Sequence, residues 1–193
     1  MTSPAGNSND LQLIDRFKGG DAAAFEEIVL KYQDGIYSLC RRMLFNAHDA
    51  EDAAQDVFLK AYRGLPAFRP EASLSTWLYR IAVNTCIDHR RKPVFESLFK
   101  SSGEGEEAQI EAFSVDPSPE RLYESRQMGQ ALQRSLGKLS DKLRAAIVLK
   151  EMEGLSYEEI ADVLGISLGT VKSRIARARD ELQKLMKDFT EQN

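Results

Sequence analysis

Cysteine and histidine are nearly missing from this chain. Two of each occur in 193 residues, with no CxxC and no Cys/His spacing. A disulfide framework and a zinc site are therefore excluded as organising devices. Cys40 and Cys86 each fall within an apolar-periodic segment. Buried reduced thiols are the expectation, with a redox switch as the alternative. No apolar run approaches the length of a membrane span, and the opening MTSPAGNSND has neither a basic nor an apolar segment. A cytoplasmic protein without membrane insertion is expected. Strand-like alternation is absent as well. His48 and His89 are far apart and lack ligand spacing, and nothing pairs a nucleophile with a base or builds a phosphate loop. No enzymatic activity, metal or cofactor is expected.

An overall basic excess is lacking too. The formal net charge is −4, whereas a freestanding DNA binder usually carries positive charge. Yet the basic residues are clustered. The stretch LSYEEIADVLGISLGTVKSRIARAR, residues 155–179, reads as a helix-turn-helix. Ser156 and Glu159 form a capping box. Ile160, Val163 and Leu164 give the first helix an apolar side, and Gly165 ends it as a left-handed C-cap. Ser167 caps the second helix, which buries Val171 and Ile175. Its other face carries Lys172, Ser173, Ala176 and Arg177, with Arg174 and Arg179 alongside. A basic second helix facing outward suits the DNA major groove.

The rest of the chain is helical in pattern. Residues 1–9 read as frayed, and Leu11, Leu13, Ile14 and Phe17 suit a short helix ended by Gly19-Gly20. Asp21 caps a long helix with a stripe from Phe25 through Ile28, Tyr32, Ile36 and Cys40 to Met43. A helix over 48–65 has Ala50, Ala53, Ala54, Val57, Phe58, Ala61 and Tyr62 as its apolar face, and leaves Asp52, Gln55 and Asp56 on one exposed face at i, i+3 and i+4. Spacing alone makes that patch a solvated helix face. After the turn Leu65–Pro70, Ser73 or Ser75 caps a helix that ends at His89-Arg90-Arg91-Lys92, just before Pro93. Trp77 belongs with its core, while Arg80, Asn84, Asp88 and His89 follow another face. Residues 93–118 are Ser/Gly/Glu/Pro-rich and aperiodic, an acidic tether. Helical pattern resumes at Pro119, with Leu122, Met128, Leu132, Leu136 and Leu139 on one face and Ser140 or Asp141 opening the next helix. The expected fold is all-α: a helical domain over 10–92, a flexible acidic linker over 93–118, and a second helical domain over 119–187.

Three stretches in this order, DAEDAAQDVFLKAYRGL (49–65), FRPEASLSTWLYRIAVNTCIDHRRK (68–92) and GLSYEEIADVLGISLGTVKSRIARAR (154–179), resemble the extracytoplasmic function (ECF, group IV) sigma factors of bacterial RNA polymerase. The resemblance spans roughly residues 10–187. It implies that the first domain is sigma region 2, docking on the β′ clamp coiled coil through Asp52, Gln55 and Asp56. It implies minus-10 recognition and melting by Phe68, Arg69 and the 70–75 loop, with Asn84 contacting a base. A base flipped from the stack needs a shaped pocket and hydrogen bonds to its edge. Arg80, Arg90, Arg91 and Lys92 are then candidates for the backbone of the melted strand. The second domain corresponds to region 4. Lys172, Ser173, Ala176 and Arg177 would read the minus-35 element, and Arg174 and Arg179 would meet phosphates. Its apolar helices would dock on the β flap. Some relatives carry a bulky aromatic where this chain has Ala176, so the preferred sequence can differ. The linker would thread the active-centre cleft and RNA exit path. An anti-sigma factor is the family's default control, and a stress or envelope response its usual setting.

Two other readings compete. A stand-alone helix-turn-helix regulator would explain residues 155–179 but leave the first domain idle. A sigma-mimic adaptor that only sequesters an anti-sigma factor would have no use for Lys172, Arg174, Arg177 and Arg179.

Overall fold

The computed structural model describes residues 4–96 and 119–191. Among them are eight α-helices: α1 (Pro4–Lys18), α2 (Ala23–Leu44), α3 (Ala47–Gly64), α4 (Leu74–Glu96), α5 (Pro119–Lys138), α6 (Asp141–Glu151), α7 (Tyr157–Leu164) and α8 (Leu168–Glu191). A 3-10 turn, Leu65–Ala67, joins α3 to α4. The all-α reading holds over these residues. The residues of the tether from 97 to 118 lie outside them, so its expected role is not addressed by the structure.

In the first domain, α2, α3 and α4 pack around Ile28, Ile36, Leu39, Met43, Val57, Leu74 and Leu78, all nearly inaccessible to solvent. Small residues on α3 (Ala50, Ala53 and Ala61) are buried where the helices approach closely. The chain starts its helix earlier than expected, at Pro4 rather than after residue 9, since proline is tolerated in a first turn. Asp10 is buried on α1 and accepts hydrogen bonds from Lys31 and from the Tyr32 hydroxyl (2.7 Å), which anchors α1 to α2. The N-cap of α2 is Ala22 and not the expected Asp21, which lies one residue earlier, accepts from the Ala23 amide (3.1 Å) and has its other oxygen clamped by Arg16. Asn46, not a residue of the expected helix start at 48, caps α3 by accepting from the Asp49 amide at 3.1 Å. Ser73 caps α4, accepting from the Thr76 amide at 3.1 Å.

Two boundaries differ from expectation. Helix α4 runs through Pro93 to Glu96. Proline there removes one hydrogen bond near a helix end, a smaller loss than in a helix interior. On α5, Met128 is half exposed instead of joining Leu136 and Leu139 in the core.

Cys40 and Cys86 are buried and free, with their sulfurs 3.6 Å apart between α2 and α4. The hydrogen bond to Cys40, and then burial, push the Cys86 thiol well above its ordinary range. A thiol so held is a poor nucleophile, which favours the packing role.

The two domains lie directly against each other. Helices α5 and α6 meet α2, and α7 meets α4. One residue that joins them is Arg144, whose side chain is wholly buried. Its guanidinium donates to the carbonyls of Leu136 (2.7 Å), Gly137 (2.9 Å) and Leu139 (2.6 Å) at the end of α5. It also donates to the Met43 carbonyl at the end of α2 (3.4 Å) and pairs with Asp141 (3.1 Å). The last carbonyls of a helix have no partner within it, and the helix dipole favours a cation there. One buried side chain therefore closes a helix end in each domain. Phe45, just past α2, takes a left-handed φ of 65°. That conformation costs roughly 1–2 kcal/mol in a residue with a Cβ. Its ring is packed under Arg144 (5.0 Å) and against Gly137.

Replacing Arg144 with Leu should lower the unfolding free energy by about 3–5 kcal/mol, because Asp141 and several buried carbonyls lose their donor. Urea denaturation followed by circular dichroism measures this. An unchanged midpoint and slope would contradict the assignment.

Candidate nucleic-acid and protein interfaces

The helix-turn-helix forms as its local chemistry dictates. Ser156 Oγ accepts from the Glu159 amide (3.1 Å) while the Ser156 amide donates to Glu159 Oε2 (2.8 Å), a complete capping box. Gly165 sits at φ 63°, and the amide after it, that of Ile166, donates to the Ala161 carbonyl (3.1 Å). Ser167 receives the Thr170 amide at 3.3 Å. Ile160, Val163, Val171, Ile175 and Ala178 are buried, which fixes the angle of α8 on α7.

That packing leaves Lys172, Ser173, Ala176, Arg177 and Arg179 exposed along α8, with Arg174 half-buried. The structure thus brings all six sequence-predicted residues onto one helix. They are not equally free. The Ser173 hydroxyl donates to its own helix at the Thr170 carbonyl (2.9 Å), leaving its oxygen to accept. The Arg179 guanidinium bonds Glu151 of α6. A phosphate would have to displace that exposed pair, which is cheap at a surface.

The acidic patch on α3 is arranged as two different sites. Asp52 and Gln55 are exposed, and Asp52 lies 3.2 Å from His48 one turn earlier. Asp56 is half-buried and braced by the ring of His89 on α4, at 2.8 Å. One turn beyond them Leu59 is 55% exposed. Sequence reading missed Leu59, although its place at i+3 from Asp56 and i+4 from Gln55 was the signal. Polar residues around an exposed leucine are the usual make-up of a protein-docking surface.

The third group surrounds the start of α4. Phe68 is only 6% exposed, and its ring meets Trp77 edge-on at 5.2 Å beneath the loop. Trp77 approaches because residue 64 is glycine: a Cβ there would lie 3.0 Å from the indole. Lys18 donates to the Phe68 carbonyl (2.8 Å) and ties the loop to α1. Arg69, Asn84 and Arg91 are exposed. Arg80 is exposed but its guanidinium donates to the Asp162 carbonyl of α7. Arg90 lies 2.9 Å from Asp141 as an ion pair, without an aligned hydrogen bond from that nitrogen. Lys92 belongs to α4, and its side chain is outside the described residues.

Among the described residues, no group of three or more His, Cys, Asp or Glu side chains could hold a metal ion. Nor is any helix long and apolar enough to cross a membrane.

Comparison with known proteins separates the same two halves. The family model for sigma-70 region 2 matches residues 28–93, and that for sigma-70 region 4 matches residues 129–182. The chain is 43% identical over 181 residues to the ECF RNA polymerase sigma factor SigW of Bacillus subtilis, covering 91% of this chain and 96% of that one. Its fold is similar to that of CnrH in complex with the cytosolic domain of CnrY, with a TM-score of 0.67, 28% identity, and coverage of 93% of this chain and 98% of that one. It is also similar to the sigma factor RpoE bound to the anti-sigma factor NepR from Bartonella quintana, with a TM-score of 0.66, 28% identity, and coverage of 84% and 96%.

The Ser156→Ala change removes the acceptor for the Glu159 amide and should cost about 1 kcal/mol of stability. Thermal unfolding reports it, and a midpoint equal to that of the unaltered chain would contradict the capping role.

Proposed function

Since the chain belongs to the ECF group of sigma-70 family sigma factors, we propose that its three exposed surfaces divide the work of promoter-directed initiation. A sigma factor binds core RNA polymerase and directs it to promoters; it is not itself an enzyme. The observation that carries the division of labour is the separation of chemistries on one scaffold. An acidic patch with an exposed leucine at its C-terminal edge lies on α3, and a basic, outward-facing second helix lies in the helix-turn-helix.

On this reading Asp52, Gln55, Asp56 and Leu59 dock on the clamp coiled coil of the β′ subunit. Leu59 supplies the desolvated contact and the carboxylates supply orientation and encounter rate. His89 acts behind the surface, holding Asp56 in place. The loop over 69–75 and Asn84 handle the minus-10 element. Phe68 and Trp77 support them from beneath, and Arg69, Arg80, Arg90, Arg91 and Lys92 attract the melted strand. Lys172, Ser173, Ala176 and Arg177 face the minus-35 duplex. An arginine there can take a guanine edge in bidentate fashion, and the Ala176 methyl can touch a thymine methyl. By analogy with RpoE and NepR, an anti-sigma factor is the regulating partner.

Changing Asp52 and Asp56 together to Lys should abolish capture by core polymerase in a pull-down, and Leu59→Ala should weaken it several-fold. Undiminished capture of both variants refutes the docking assignment. Arg177→Ala should lose about 1–3 kcal/mol of discrimination at the minus-35 element. Equal loss of transcription on promoters lacking that element would remove Arg177 from base reading. Asn84→Ala should impair melting, and unaltered permanganate reactivity near the start site would exclude that residue from the step.

A further inference from the structure

Among the described residues, a buried carboxylate lies amid the polar contacts between the two domains. Glu153, just past α6, is the centre. Its side chain is 6% exposed. Its Oε1 accepts from Arg42 Nη1 of α2 at 2.8 Å, and its Oε2 accepts from the Tyr79 hydroxyl of α4 at 3.0 Å. Arg42 is itself steadied by the Ser38 hydroxyl. The Tyr79 hydroxyl reaches this position because residue 35 is glycine; a Cβ there would stand 3.1 Å from it. Around this centre lie the contacts of Arg80 with the Asp162 carbonyl, Arg90 with Asp141, and Arg144 with the Met43 carbonyl.

We propose that Glu153, Arg42 and Tyr79 form a latch that holds the free chain in a closed, self-inhibited form, in which Arg80 and Arg90 are withheld from nucleic acid. The inference rests on the assignment of Arg80 and Arg90 to the melted strand. A cation contributes to strand binding by neutralising a phosphate and releasing counterions. Arg80 is already engaged by a backbone carbonyl on the helix-turn-helix, and Arg90 is ion-paired with a carboxylate of α6. Closure and strand binding therefore compete for the same two guanidinium groups. A ligand that needs the open form binds with an affinity reduced by the fraction of chains that are open. Breaking the latch raises that fraction without touching either cation.

The test uses the full chain and does not require a known promoter. Small-angle X-ray scattering gives the radius of gyration of the free protein. Fluorescence anisotropy gives its affinity for a labelled single-stranded 20-mer of mixed sequence at low salt. Glu153→Arg, which sets a cation against Arg42, should enlarge the particle and tighten strand binding at least ~5-fold, the lower end of ordinary coupling between sites. The exchanged pair, Arg42→Glu with Glu153→Arg, should return both readings to those of the unaltered chain. Tyr79→Phe, which removes one hydroxyl, should move both readings the same way by less, and it decides the matter alone if Glu153→Arg does not fold. Unchanged dimensions and affinity in these variants overturn the latch, as does an expansion that the exchanged pair fails to reverse. Transcription with core polymerase separates the two claims. If the unaltered chain supports initiation and the variants match it in strand binding, the latch alone falls. If the unaltered chain supports no initiation, the functional assignment falls with it.

Discussion

The arrangement of this molecule depends on helix ends that cannot satisfy themselves. The last carbonyls of α5 and of α2 point toward one another across the boundary between the domains, and Arg144 is the donor for both. A guanidinium is suited to this task because its donors are fixed in a plane and it stays charged when buried. Lysine would offer a point charge with no comparable fork. Once Arg144 is in place, Asp141 is held beside it, Phe45 is clamped in its left-handed conformation, and α6 is seated against α2. The recognition helix follows from that seating, since α8 packs on α6 and α7.

From this scaffold come three surfaces of different chemistry. The α8 surface is basic because its inward positions are taken by Val171, Ile175 and Ala178, leaving the cations outside. On α3, small buried residues draw the helix close to its neighbours, and only the side with Asp52, Gln55 and Leu59 reaches solvent. At the start of α4, Phe68 packs edge-on against Trp77 beneath the loop, which Lys18 and Ser73 hold by hydrogen bonds.

Local chemistry made much of this legible in advance. The capping box at Ser156 and Glu159, the left-handed Gly165 and the buried face of α8 are nearest-neighbour properties, and a one-dimensional reading finds them. The same holds for the stripe along α2. What escaped was set by contacts between residues far apart in the chain. Arg144 lies among alanines and leucines and looks like a surface cation; its partners become apparent only when α2 and α5 meet. The family resemblance places Phe68 with the minus-10 residues, and nothing local in the sequence tells that its ring turns inward to Trp77. Leu59 shares a face with Gln55 and Asp56 by spacing, but only the packing of α3 shows that its side chain stays exposed. Pro93 reads as a stop, yet the loss of one hydrogen bond near a helix end does not break α4. The seating of one domain on the other had no periodic signature at all.

The central claim is that the chain gives core RNA polymerase its choice of starting point. Run-off transcription tests this most directly, with purified core enzyme on the DNA upstream of the chain's own gene, in the presence and absence of the protein. The account predicts a discrete transcript that appears only when the protein is added and shortens in step with truncation of the template. Equal background transcription with and without the protein, or a protein that fails to enter the polymerase complex, would contradict it.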